Sequence, residues 1–308
     1  MHKLTSVLVV VDRGPGDLPL LAKAIALARA FGAGLELFAC DAMHEYELEH
    51  TYDAQGREGA RQASELELRR YLQRLSERVT AEKLAVSIDV ASESPLYEGI
   101  VRKIIGSHPD LVLKSAVHDS ASRHSALSAN DWQLIRTCPA PLLLSRGRSW
   151  RVPPSIAAAV DVSEAETPGL GEMILHTAAL LRAGCRGELE VLFGEGSEAS
   201  AQDREVHVST LRRLADDVQL DASRIRFLTG DPVMTLAAKA AEQHYDVLVL
   251  GALTHRTQQA AALVGTLTHT LMETLDSDFI LIRPTRFGSP VPELNQNVRS
   301  APAIKNAP

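Results

Sequence analysis

Short apolar runs alternate with longer amphipathic stretches along almost the whole chain. Thr5–Val11 is a β-branched run of the kind that forms a strand buried on both faces. Leu18–Phe31 follows with Leu21, Ile25 and Ala28 at helical spacing, stopped by Gly32 and Gly34. Leu35–Ala39 reads as a second strand. Gly56–Lys83 reads as a long charged helix with Leu66, Leu68, Leu72, Leu75 and Val79 on its inner face. Val86–Val90 alternates as a third strand, and Pro95 suits the first turn of a helix running to Ile105. Leu111–Leu113, a helix over Asn130–Thr137, and Pro141–Leu144 complete this series.

The same order then returns. Strands are predicted over Ile156–Val160, Leu189–Phe193, Ile225–Leu228, Val247–Leu250 and Phe279–Ile282. Helices are predicted over Gly171–Arg182, Asp203–Gln219, Pro232–Gln243 and Leu267–Leu275. The residues echo as well as the pattern. Asp110-Leu-Val-Leu-Lys-Ser-Ala reappears as Asp246-Val-Leu-Val-Leu-Gly-Ala, and Ala140-Pro-Leu-Leu-Leu-Ser-Arg146 as Ser277-Asp-Phe-Ile-Leu-Ile-Arg283. Val7-Leu-Val-Val-Val-Asp12 is matched by Ile156-Ala-Ala-Ala-Val-Asp161. A repeat of this length is a duplicated α/β domain rather than a short-period solenoid. The predicted fold is therefore α/β: two tandem flavodoxin-like or Rossmann-like domains, each a doubly wound, five-stranded parallel sheet. The expected boundaries are 1–149 and 150–286, with Trp150–Pro154 as the linker and a Pro-, Asn- and Ser-rich disordered tail over 287–308.

Composition narrows the function classes. A net charge of −7 argues against direct nucleic-acid binding, which needs a concentrated basic face. No apolar run is long enough to span a bilayer, and the first residues lack a signal peptide's apolar region, so a cytoplasmic location is expected. Cys40, Cys138 and Cys185 are too far apart for a disulfide framework or a CxxC site. The histidines have no HExxH spacing and no cysteine nearby, so no metal site is predicted. Nucleophile elbows, Cys/His pairs and carboxylate dyads are likewise missing from the sequence, and no catalytic residue is assigned.

An Asp closing the first strand, a strand ending in Gly, a loop, Gly-Thr at a helix start and a short last strand resemble the universal stress protein domain. Asp131-Trp132 and Cys138-Pro-Ala-Pro141 add to a resemblance that covers residues 3 to 286 and points to the family's tandem members. In members that bind ATP the signature is Gly-x2-Gly-x9-Gly-Ser/Thr. Its glycines let backbone amides approach phosphates, at a helix start whose dipole favours anions. The second half keeps part of it. Gly251 stands at the strand end, Gly265-Thr266 at the helix start with Thr268 beyond, and Asp161 at the end of the first strand. Thr254 replaces the middle glycine, the loop is one residue longer, and Arg256 lies where the phosphates would run. The resemblance thus implies a cofactor-binding set of Asp161, Gly251, Arg256, Gly265, Thr266 and Thr268, with ATP as its ligand. In the first half Ser115 replaces Gly251, Ser128-Ala129 replace Gly265-Thr266, and only Asp12 survives. That half is expected to have a degenerate site.

Each of these residues also has a plainer reading. Asp161 suits a turn, Thr266 or Thr268 a helix cap, and Arg256 an exposed loop. The resemblance implies a stress-response protein that acts by binding a ligand or partner rather than by catalysis, including under oxidative or DNA-damaging stress. Two alternatives stay open: an ATP-binding switch with slow hydrolysis in the second half, and a carrier or sensor of an apolar small molecule shaped by Ala260, Ala261, Ala262 and Leu263. Family members pair through their last strands. The same pairing within this chain would join Pro141–Leu144 to Phe279–Ile282 as an intrachain pseudo-dimer and cover two open sheet edges. The intact chain would then be a monomer or form a further homodimer.

Overall fold

The structure is a computed structural model that describes residues 3–41, 54–117, 127–163, 166–196, 198–254, 263–264, 266–284 and 288–292. The first half contains β1 (Ser6–Val10), α1 (Asp17–Phe31), β2 (Gly34–Asp41), α2 (Ala54–Ala81), β3 (Val86–Ser92), α3 (Leu96–Ser107), β4 (Leu111–Ser115), α4 (Ala129–Thr137) and β5 (Leu142–Ser145). The second contains β6 (Ser155–Ala159), α5 (Leu170–Cys185), β7 (Glu188–Glu195), α6 (Ala201–Asp217), β8 (Ile225–Thr229), α7 (Pro232–Gln243), β9 (Val247–Gly251), α8 (Thr266–Thr274) and β12 (Asp278–Ile282). A two-stranded ribbon, β10 (Leu253–Thr254) with β11 (Leu263–Val264), stands between β9 and α8.

The two five-stranded sheets join into one. Ten strands run in the order β3-β2-β1-β4-β5-β12-β9-β6-β7-β8. Within each half of this sheet the strands pair parallel, and at the junction β5 and β12 pair antiparallel, with Phe279 opposite Leu144, Ile280 opposite Leu143 and Leu281 opposite Leu142. The intrachain pairing of last strands expected from the sequence is present. One face of the sheet is covered by α1, α2, α5 and α6, whose Leu20, Leu27, Leu72, Ile174 and Leu211 share one buried cluster with Val9 and Ala158. The other face carries Ile100, Leu134, Leu236 and Leu271 over Leu8, Leu144 and Leu281.

The strands are apolar on both faces because helices cover both. In α2, Leu68, Leu72, Leu75 and Val79 are buried, but Leu66 is 49% exposed, against the sequence expectation. Two residues before Leu68 lie about 200° away around a helix, so a side chain there turns to solvent. Truncating the fully buried Leu72 to Ala should cost about 2–5 kcal/mol, read by urea unfolding.

The aspartates that open the repeated motif have a structural role. Asp110 Oδ2 accepts from the Thr5 amide at 2.7 Å, the Thr5 hydroxyl at 2.7 Å and the Ser6 amide at 3.0 Å. Asp246 Oδ2 accepts from the Ser155 amide at 2.8 Å and from Arg151 Nε at 2.9 Å. In each half the carboxylate before the fourth strand ties down the start of the first.

Glu190 on β7 accepts from the Tyr245 hydroxyl at 2.6 Å and from Arg226 Nε at 3.0 Å. Burial works against its charge, but Tyr245 and Arg226 outweigh it and hold the carboxyl below its usual 4.5. A depressed acid contributes stability above its unfolded pKa and loses it as pH falls through the folded one. Wild type should therefore lose this contribution as pH drops below about 4.5, the ordinary glutamate value, and Glu190→Gln should show a flatter acid limb in pH-dependent urea melts.

The chain beyond β12 returns to the first half at residues 288–292. Ser289 Oγ donates to the Thr137 carbonyl at 2.9 Å, and Val291 is buried in the cluster that contains Ile104 and Cys138. The tail expected from 287 onward thus begins with a docked segment, because Val291 finds an apolar site; residues 293–308 lie outside those described.

Candidate functional site

In an open parallel sheet, ligands bind beyond the strands' carboxyl ends. In the first half that position holds a cavity of about 380 Å³ whose lining includes Asp12, Cys40, Asp41, Lys114, Ser128 and Asn130. Its floor is ionic. Lys114, the fourth residue of β4, is 2% exposed although it carries a charge. Its ammonium donates to Asp12 Oδ2, lies 3.1 Å from Asp131 Oδ1, and donates to the Ser115 carbonyl at 3.2 Å. Burial alone would push Lys114 down, but the two carboxylates outweigh it and raise its pKa. The ammonium therefore stays charged.

Asp131 is placed there by its helix. Ser128 caps α4, its hydroxyl accepting from the Asp131 amide at 3.1 Å. Asp131 Oδ2 accepts from the Ser128 amide at 2.9 Å and hydroxyl at 2.8 Å. This reciprocal box fixes the first turn of the helix. The loop after β1 is closed by another carboxylate: Asp17 accepts from the Asp12 amide at 3.3 Å, the Gly14 amide at 3.1 Å and the Tyr71 hydroxyl at 2.9 Å. Amides that would otherwise face an anion are already occupied by the chain's own. Cys40, in the cavity wall, has its thiol pushed up to about 12 by burial. Burial also lifts Cys138 and Cys185, each to about 11. Since the thiolate is the reactive form, native protein should react with a thiol reagent at near-neutral pH far more slowly than protein unfolded in urea. Equal rates for the two would contradict the burial.

The second half differs at the matching positions. Asp161 is exposed, and its Oδ1 accepts from the Ser163 amide at 2.8 Å, which is the turn geometry of its plainer reading. Gly251 ends β9, where a Cβ would come within 3.0 Å of Leu170 Cδ2. Thr268 is 3% exposed and donates its hydroxyl to the Gly251 carbonyl at 2.8 Å. The structure brings these two together, but as a tie between strand and helix. Thr266 is the exposed first residue of α8. Arg256 and Gly265 lie outside the described residues, as do Ala260, Ala261 and Ala262. The stretch between Gly251 and Thr266 starts and ends as the ribbon, with Leu253 opposite Val264 and Thr254 opposite Leu263. A phosphate loop needs free amides pointing inward; these segments pair with each other.

The sequence reading missed Lys114 as a site residue. The signal was available: a lysine directly after the apolar run Leu111-Val112-Leu113, where the repeat has Leu250. Buried charge in a parallel strand is rare unless it is paired.

A five-strand parallel unit with an Asp just beyond its first strand and a cavity at the strand ends defines the class: residues 3–146 match the universal stress protein family. That match supports a stress-response role. Over nearly its full length the chain is similar to Universal stress protein E of Salmonella typhi, 22% identical with 94% of this chain and 98% of the relative covered. The Escherichia coli K12 protein of the same name has the same identity and coverage. Among solved structures, a universal stress protein from Archaeoglobus fulgidus shares the fold with a TM-score of 0.69 at 10% identity, covering 90% of this chain and 98% of that one.

Proposed function

We propose that the chain is a cytosolic stress-response protein that holds a small ligand and meets protein partners, without turning a substrate over. In this reading residues 1–149 and 150–286 are two domains of one kind, and the first carries the ligand cavity. The observation behind it is the floor of that cavity. Lys114 is held by Asp12 and Asp131, so the floor is ionic and self-neutralised, and the space of about 380 Å³ above it can receive a molecule. Native mass spectrometry of gently purified protein tests this. A retained small molecule is expected in wild type and absent from Asn130→Trp, which fills the lining of the cavity. If wild type carries nothing and no compound in a metabolite panel raises its melting temperature, the ligand reading fails.

A nucleotide in the second half is the second reading, favoured by the exposed Thr266 at the start of α8 and its preceding glycine. Titration calorimetry with ATP and Mg²⁺ should then lose its signal in Gly265→Asp, whose carboxylate repels a phosphate, while Ser128→Gly in the first half stays silent for this ligand. Equal heats in wild type and Gly265→Asp would remove Gly265 from any such site.

A further inference from the structure

We infer that the seam between the halves is built to accept an unlike half and to reject a second copy of itself. The β5–β12 pairing has a local twofold axis between Leu143 and Ile280, because Leu142 and Leu281, and Leu144 and Phe279, exchange places about that point. Such an axis creates two equivalent corners, one step beyond the paired residues on each side. Continuing the register by one step sets Ser145 of the first half opposite Asp278 of the second at one corner, and Pro141 opposite Ile282 at the other. The helices α1 and α5 both cover this face, and their buried positions coincide when Lys23 is aligned with Thr177: Leu20, Leu21, Ala24 and Leu27 then fall on Ile174, Leu175, Ala178 and Leu181.

The corners are chemically opposite. At the first, Lys23 Nζ lies 2.6 Å from Asp278 Oδ2 and donates to Ser145 Oγ at 2.7 Å. Asp278 also accepts from Trp150 Nε1 at 2.6 Å and from the Arg146 amide at 2.8 Å. Lys23 is 5% exposed and Asp278 1%. At the second corner the same positions are Thr177, Pro141 and Ile282, and the Thr177 hydroxyl is turned back onto the Met173 carbonyl of its own helix at 2.8 Å. One corner is a buried ion pair; the other needs no partner.

A symmetric interface presents the same patch from both sides. Two first halves paired this way would place Lys23 and Ser145 against Pro141 at both corners, with no counterpart of Asp278 at either. Two second halves would place Asp278 against Ile282 and Thr177 at both. A buried charge stripped of its partner is costly, whereas an ion pair replaced on both sides by apolar groups is tolerated. The pair therefore selects the partner more than it strengthens the seam.

The test uses the full chain with a protease site inserted between the exposed Arg148 and Ser149. The folded protein is nicked, labelled and unlabelled samples are mixed, unfolded in urea and refolded together, and native mass spectrometry counts the pairs. Wild type should give first-with-second pairs, with like pairs at least about 100-fold rarer, since each like pair strands a buried charge at two corners. In Lys23→Met/Asp278→Leu the like pairs should rise to within about tenfold of the unlike ones as that penalty disappears. Like pairs as abundant as unlike ones in wild type, or a double variant as selective as wild type, overturns the inference. The intact chain gives a second measurement. Lys23→Met and Asp278→Leu should each lower the urea midpoint, and combining them should recover most of the loss. Silent single variants would overturn the assignment equally.

Discussion

Lys114→Met should lower the unfolding free energy by about 3–5 kcal/mol, the range for removing one partner of a buried ion pair. The residue sits 2% exposed at the end of β4, and its removal leaves Asp131, which is fully buried, facing Asp12 with no cation between them. Two carboxylates in one low-dielectric site repel, so the loss exceeds that of the lysine's contacts alone. Combining Lys114→Met with Asp131→Asn removes the stranded charge and keeps the Ser128 cap partly satisfied, and should recover a measurable part of the loss. The check is urea unfolding of the single and double variants. A single variant within about 1 kcal/mol of wild type, the scale of an ordinary surface pair, would show that the triad is solvated and would remove the cavity floor described above.

Phosphate release from ATP should run at least about 100-fold below one per second, the lower end of ordinary enzyme turnover. Phosphoryl transfer depends chiefly on positioning, and among the described residues the groups nearest the phosphate motif are engaged elsewhere. The Thr268 hydroxyl is on the Gly251 carbonyl, Asp17 occupies the Asp12 and Gly14 amides of the first-half loop, and the segments flanking the second-half loop pair as a ribbon. A release assay on wild type beside Gly265→Asp checks it. Sustained turnover near one per second, abolished in the variant, would overturn the binding-only reading.

The strands and helices were legible because buried parallel strands and amphipathic helices leave different periods in the sequence. The duplication then implied that the two last strands would meet, and they do as Leu144 meets Phe279. Local tertiary choices were not legible. Leu66 is apolar yet faces solvent, because one helix face is set by the spacing of its neighbours and not by its own side chain. The ribbon at Leu253–Thr254 and Leu263–Val264 is too short to show a period of its own. Thr268 fits a phosphate motif and a strand tie equally well until the Gly251 carbonyl is placed beside it. Lys114 and Asp131 are 17 positions apart, and Lys23 and Asp278 are 255 apart, so no local pattern joins either pair.

Because β5 and β12 run in opposite directions, the first-half strands all finish at one end of the long sheet and the second-half strands at the other. Asp12 and Asp161, equivalent by descent from one repeat, thus stand at opposite poles of the molecule. The strand-end regions of the two halves therefore face away from each other, so no single small molecule can touch both Asp12 and Asp161.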